Sequence, residues 1–232
     1  MLLGSYDLLL DDPAAFVLLA ALIALSLVVA ITVHEFSHAL VANGLGDSTA
    51  KRLGRLSLNP ARHLDPAGAV MMLVAGFGWG KPVPVDPNRL AHGHIGTALV
   101  AAAGPLSNLV FAFLLALPIK LGLLGPTRLS LDRIAHVMTG GFKEGMADII
   151  SLLIFFNLLL AVFNLIPLAP LDGSRVLTSV IPARRVAAYA RLQQHGPVIL
   201  VGIVMLDFML GFGILWGIIG PVVRGLTSMA TG

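Results

Sequence analysis

The sequence predicts an all-α, polytopic membrane protein: about four transmembrane helices, a re-entrant loop, and a short helix after Leu171-Asp172-Gly173. Three observations carry that expectation. Hydrophobic residues make up 57% of the 232 positions and charged residues only 12%, about half the soluble average. So few charges cannot cover a water-facing surface. The apolar residues gather in runs long enough to cross a bilayer. Most lysines and arginines fall between those runs, as membrane-flanking charge does.

The first run, Ala14–Val33, is 20 residues without a charge. It is too long for a signal-peptide core, acidic residues precede it, and no small-residue cleavage site follows. Residues 95–119 form a second uncharged run, with Gly104-Pro105 expected to kink it. A third run, 149–171, ends in Pro167 and Pro170. A fourth, 196–223, carries one charge, Asp207, for which the sequence suggests no partner. Between the first two lies 66–80, uncharged, glycine-rich and only 15 residues long. It is too short to span easily and poorly suited to a straight helix, so a re-entrant or interfacial segment is expected. One membrane-embedded domain of residues 1–232 follows, with a core at 14–185 and an added C-terminal span at 196–223.

Charge also orients the chain. With the N-terminus outside, the inner loops collect Lys51, Arg52, Arg55, Arg62, Lys81, Arg89, Arg175, Arg184, Arg185 and Arg191. The outer loops collect five: Lys120, Arg128, Arg133, Lys143 and Arg224. That bias puts the end of the first span on the cytoplasmic side. The net charge of +3 does not point to nucleic acid, because the basic residues are dispersed between apolar runs. The absence of cysteine excludes disulfide scaffolds, thiolate zinc sites and cysteine nucleophiles.

The chemistry is concentrated at His34-Glu35-Phe36-Ser37-His38. Two histidines four apart project from one helix face. That spacing lets both imidazoles bind one zinc, with the intervening glutamate beside a water held there. With seven histidines and two glutamates in the chain, roughly 0.002 chance matches are expected. A catalytic zinc needs a third protein ligand. Glu144, the other glutamate, belongs to a loop on the opposite side. Asp172 is the stronger candidate, since prolines before it stop a regular helix and Gly173 permits a turn. It could equally be the N-cap of the short helix that follows.

Two separated motifs make the chain resemble the site-2 protease family of intramembrane zinc metalloproteases, in its minimal form without PDZ or CBS domains. One is HEFSH at 34–38; the other is Asn164-x-x-Pro167-x-x-Pro170-x-Asp172-Gly173. Asn59-Pro60-x-x-His63-x-Asp65-Pro66, Gly78-Trp79-Gly80-Lys81-Pro82-Val83-Pro84-Val85 and Gly104-Pro105-x-x-Asn108 are similar as well. The resemblance spans roughly 14–185. It implies one Zn²⁺ per chain held by His34, His38 and Asp172, with Glu35 as general base and acid. It implies that Asn164 binds the oxyanion or substrate backbone, although an asparagine there could instead satisfy carbonyls freed by Pro167. Asn108 would hold substrate or join helices. The β-like re-entrant loop at 66–85, including Gly78, Lys81, Pro82 and Val83, would pair with an extended substrate.

The function so implied is hydrolysis of peptide bonds in or near transmembrane segments of single-span membrane proteins, as in regulated intramembrane proteolysis. The lipid bilayer is a partner and nucleic acid is not. A non-catalytic membrane zinc protein or a metal transporter is the alternative, but zinc binding alone does not require Glu35. His63 is expected to be structural or interfacial, and His92, His94, His136 and His195 share no helical face.

Overall fold

The computed structural model describes residues 6–75, 79–125, 141–211 and 213–232. Among them are ten α-helices: α1 (Tyr6–Asp11), α2 (Pro13–Gly44), α3 (Thr49–Arg52), α4 (Pro66–Ala75), α5 (Gly93–Lys120), α6 (Phe142–Asn164), α7 (Asp172–Val180), α8 (Ala183–Gln194), α9 (Gly196–Leu210) and α10 (Ile214–Thr231). Four of them, α2, α5, α6 and α10, are long and apolar enough to cross a membrane.

Helix α2 starts where Asp12 accepts a hydrogen bond from the Ala15 amide (3.0 Å) and Pro13 occupies the first turn. It runs without a break through the HEFSH segment. His34 lies 21 residues after Pro13, about 32 Å along the axis, roughly one hydrocarbon thickness. Leu19, Leu22, Ile23, Leu27 and Ile31 of α2 pack on Leu152 and Phe156 of α6. Ala112, Ala116 and Ile119 of α5 pack on Ile154 and Leu158 of α6 and on Val223 and Ala230 of α10. Gly104, Asn108, Ala112 and Ala116 recur every fourth residue on the buried side of α5, and all but Asn108 are small. Small residues let membrane helices approach closely, which lateral packing in lipid requires. Val17, Leu25, Leu99, Leu106, Val110 and Leu114 stay exposed, as a hydrocarbon-facing surface would leave them.

The helix boundaries differ from the apolar runs in two places. The third span is α6, displaced toward the N-terminus: Lys143 and Glu144 fall in its first turn, and it ends at Asn164, before Pro167 and Pro170. The run 196–223 is two helices. Gly211 and Gly213 adopt left-handed conformations (φ 64° and 65°) that favour glycine. The Asp207 carboxylate accepts from the Ile214 and Leu215 amides at 2.6 and 2.7 Å, capping α10. That is the partner the sequence does not reveal, and α9, 15 residues and about 22 Å long, falls short of a full span. Helix α5 continues through Pro105 and Pro118.

The segment between α2 and α5 also contains a helix where a straight one looked unsuited. Pro66 opens α4 and Asp65 accepts from the Gly68 amide at 2.9 Å, a capped start that outweighs the glycines. After α4 the chain returns to one antiparallel bridge, Leu64–Gly80, and the Lys81 amide donates to His63 O at 2.7 Å. Among the described residues the β-like character is limited to that bridge, and Gly78 lies outside them. The guanidinium of Arg55, 5% exposed, donates to Lys81 O. His63, completely buried, meets Ser57 O at 2.6 Å through Nε2, a structural role as expected.

Asp47 closes this segment. It is completely buried and accepts from the Thr49 and Asp86 amides at 3.0 and 2.7 Å. Burial works to raise its pKa, but the hydrogen bonds from Thr49 and Asp86 win and hold it below the ordinary carboxylate value. A depressed folded pKa stabilises the protein above the unfolded value of about 3.9, and the gain disappears as pH falls through the folded value. The difference in thermal midpoint between the parent and Asp47→Asn, measured in detergent, is therefore expected to be constant near neutrality. It should shrink below about pH 4. A difference that does not vary with pH would show that Asp47 acts through something other than its charge.

Candidate metal centre

His34 and His38 follow one another on the buried face of α2, with 4% and 7% of their surface exposed. Their ring centroids are 4.6 Å apart and nearly perpendicular. Asp172 reaches them from the first turn of α7. Its Oδ2 lies 3.0 Å from His34 Nε2 and 3.2 Å from His38 Nε2. Leu171, not Asp172, is the N-cap residue, and no side-chain cap bond forms there. The N-cap reading of Asp172 is thereby set aside, and its carboxylate is turned to the histidines instead.

These three donors fit a zinc ion. Ligand atoms about 2.0 to 2.1 Å from one tetrahedral ion stand about 3.3 Å apart, close to the separations here. The histidines also present the correct nitrogens. His38 Nδ1 is 2.7 Å from Val100 O, and a carbonyl can only accept, so Nδ1 carries the proton and Nε2 is left free to bind. Close packing on α5 completes the cradle. A Cβ built on Gly104 would lie 2.7 Å from His34 Nε2 and nearer still to His38 Nε2. The sequence placed Gly104 at a kink; its contact with both rings is a second constraint. Among the described residues, His34, His38 and Asp172 are the one group of three that could hold a metal ion. Glu144 sits in the first turn of α6, about 30 Å along that helix from Asn164.

The donors line a cavity of about 370 Å³. Glu35, Trp79, Pro82, Val83, Asn164 and Arg175 share its wall with apolar side chains. Five of the sequence-derived site residues thus meet around one space with Pro82 and Val83. Two of the remainder do not line it. Lys81 is exposed and joins its neighbours through its backbone. Asn108 is completely buried behind His34, accepting from His34 Nδ1 at 2.7 Å. Asn164 donates from Nδ2 to Leu160 O at 3.0 Å at the end of α6.

The sequence of this region matches the profile of peptidase family M50 over residues 91–209. Over 192 residues the chain is 38% identical to "Putative zinc metalloprotease YwhC" of Bacillus subtilis, covering 83% of each protein. It is 29% identical over 211 residues to "Putative zinc metalloprotease Rip2" of Mycobacterium tuberculosis, covering 88% of this chain and 75% of the relative. The chain belongs to peptidase family M50. It is a zinc metalloendopeptidase of the site-2 protease family and an integral, multi-pass membrane protein. No solved structure matches it significantly. The M50 profile match contains Asn164 and Asp172, while the histidine pair lies upstream of it.

Other residues that support the M50 centre have no sequence signal of their own. Asn157 of α6, completely buried, accepts from Asn108 Nδ2 at 2.7 Å. Tyr189 Oη and Gln193 Nε2 of α8 donate to Pro167 O at 2.8 and 3.2 Å, and Gln193 Oε1 accepts from the Ala169 amide. They brace the turn that delivers Asp172. Burial holds the Arg55 guanidinium below its ordinary pKa, against the nearby Glu35 carboxylate, which raises it.

Two substitutions test the centre. Gly104→Ala is expected to push the imidazoles apart and weaken zinc binding by about tenfold or more. Asp172→Ala should leave less than one zinc per chain after dialysis. Chelator competition and elemental analysis of detergent-purified protein measure both. Unaltered affinity in either variant would remove that residue from the site.

Proposed function

We propose that this enzyme hydrolyses peptide bonds in or near the transmembrane segments of single-span membrane proteins, in the manner of regulated intramembrane proteolysis. The observation that carries the reading is the position of the donors. Two buried histidines stand on a membrane-crossing helix, and a carboxylate in the first turn of α7, directly after the non-helical stretch 165–171, meets them at an apolar-walled cavity. Ionisable groups at that depth are costly unless they serve a protein-lined cavity. The distribution of lysine and arginine supports a site near the cytoplasmic face and an N-terminus outside.

In this reading His34, His38 and Asp172 hold the zinc. When bound, zinc polarises the scissile carbonyl and makes water a competent nucleophile near neutral pH. Glu35, on the cavity wall one residue from His34, takes the proton of the attacking water and returns it to the leaving amide nitrogen. Asn164 has one amide hydrogen engaged by Leu160 O and a second to offer a developing oxyanion or the substrate backbone. A substrate helix hides its carbonyls in its own hydrogen bonds and must unwind first. Residues 81–85, non-helical and anchored at Lys81 by His63 and Arg55, supply an edge along which an unwound segment can lie. Pro82 and Val83 bring that edge to the cavity wall.

Glu35→Gln separates metal binding from proton transfer. Zinc content is expected to stay near one per chain while cleavage of a single-span test substrate in proteoliposomes falls by about 10²- to 10⁴-fold. Turnover close to the parent rate would sink the assignment of Glu35 as the base.

A further inference from the structure

We propose that Asn108 and Asn157 form a positioning relay that fixes which nitrogen of His34 faces the metal. The inference rests on the zinc reading above and concerns residues to which that reading gives no such part. Each bond in the chain has one possible direction. Asn108 Nδ2 lies 2.9 Å from the Ala30 carbonyl, and a carbonyl can only accept. The amide nitrogen of Asn108 is therefore on that side, and its oxygen is the atom 2.7 Å from His34 Nδ1. That oxygen also can only accept, so Nδ1 of His34 carries a proton, and in the neutral ring that binds a metal Nε2 is the nitrogen left to face Asp172 and His38.

Asn157 repeats the logic one step further out. Its Nδ2 donates to Leu153 O at 2.8 Å, leaving Oδ1 to accept from Asn108 Nδ2 at 2.7 Å. The direction of the whole chain is thus set by two backbone carbonyls, Ala30 on α2 and Leu153 on α6. Both asparagines are completely buried, so water does not compete for these bonds. His38 needs no relay, because Val100 O accepts from its Nδ1 directly. Asn108 serves His34 as the Val100 carbonyl serves His38. It is a positioning residue, acting through His34.

The test is zinc affinity of the full-length protein in detergent, measured by chelator competition, with the metal-free thermal midpoint as control. Asn108→Leu is expected to raise the zinc Kd by about 10- to 100-fold. Asn108→Asp keeps an acceptor for His34 Nδ1 and should restore most of that affinity, even though it loses the donor to Ala30 and is less stable. Asn157→Leu leaves the Ala30 bond in place and should weaken binding by less than Asn108→Leu. A mere helix-joining role would lower the thermal midpoint in all three variants and leave Kd unchanged, which would overturn the relay.

Should Asn108→Leu fail to fold, zinc-loaded parent protein with ¹⁵N-histidine carries the test. Proton-bearing Nδ1 atoms on both metal-holding rings are expected, with slow solvent exchange. Metal at Nδ1 of His34, or an Nδ1 proton that exchanges as in a free histidine, would refute the proposal. Zinc binding indifferent to Asn108 overturns the relay alone, whereas a parent protein that binds no zinc overturns the metal reading with it.

Discussion

The structure depends on one constraint: polar groups brought to membrane depth must be satisfied inside the protein. His34, His38 and Asp172 are held where unpaired charge or an idle N–H carries a heavy penalty. Each imidazole Nδ1 has an acceptor, and the two Nε2 atoms converge on one carboxylate oxygen. Meeting that demand dictates the bundle around it. Helix α5 must come close enough to α2 for Val100 O and Asn108 to reach the rings, and Gly104 is the residue that permits the approach. Helix α6 must lie close enough for Asn157 to reach Asn108. The stripe of small residues on α5 is the packing consequence of that polar requirement.

The same requirement explains the segment between α2 and α5. Leu45, Leu64, Val85 and Leu90 anchor it through apolar contacts, and directed bonds complete its order. Asp47 ties Thr49 to Asp86, and Lys81 is held at both its amide and its carbonyl by His63 and Arg55. Holding Lys81 sets the path of Pro82 and Val83 along the cavity. The buried Arg55 guanidinium there also lies close enough to Glu35 to interact with its charge.

Much of the centre was legible in the sequence because its signals are local. A four-residue histidine spacing survives any tertiary arrangement as long as the helix forms, and Asp172 is marked by prolines on one side and glycine on the other. What was illegible depends on contacts between distant residues. Asn157, Tyr189 and Gln193 are unremarkable polar residues until folding sets them beside Asn108, Pro167 and Ala169. The helix boundaries were misplaced for another reason. Hydropathy reports what a residue prefers to be near, not where a backbone can bend. In 196–223 the glycines at 211 and 213 and the reach of Asp207 to two amides outweigh an apolar composition that reads as continuous. In 66–75 the Asp65–Pro66 start outweighs the glycines in the other direction.

The three candidate ligands are not equally secured, and the difference has a mechanical meaning. His34 and His38 share one rigid helix packed on two others, so their spacing is fixed by α2 itself. Asp172 opens α7 directly after the non-helical stretch 165–171. Its place is set by the packing of α7 on α5 and by the turn 165–171, which is braced from outside by Tyr189 and Gln193 of α8. Helix α8 carries Arg184, Arg185 and Arg191 and packs no large apolar face into the bundle, so it is held mainly by these polar contacts and by its continuation into α9. A displacement of α8 would therefore reach the centre through Asp172 and leave the histidine pair where it is. The fold thus divides the site into a half carried on the single helix α2 and a half that enters through a turn braced by hydrogen bonds from α8 and is seated by the packing of α7 on α5.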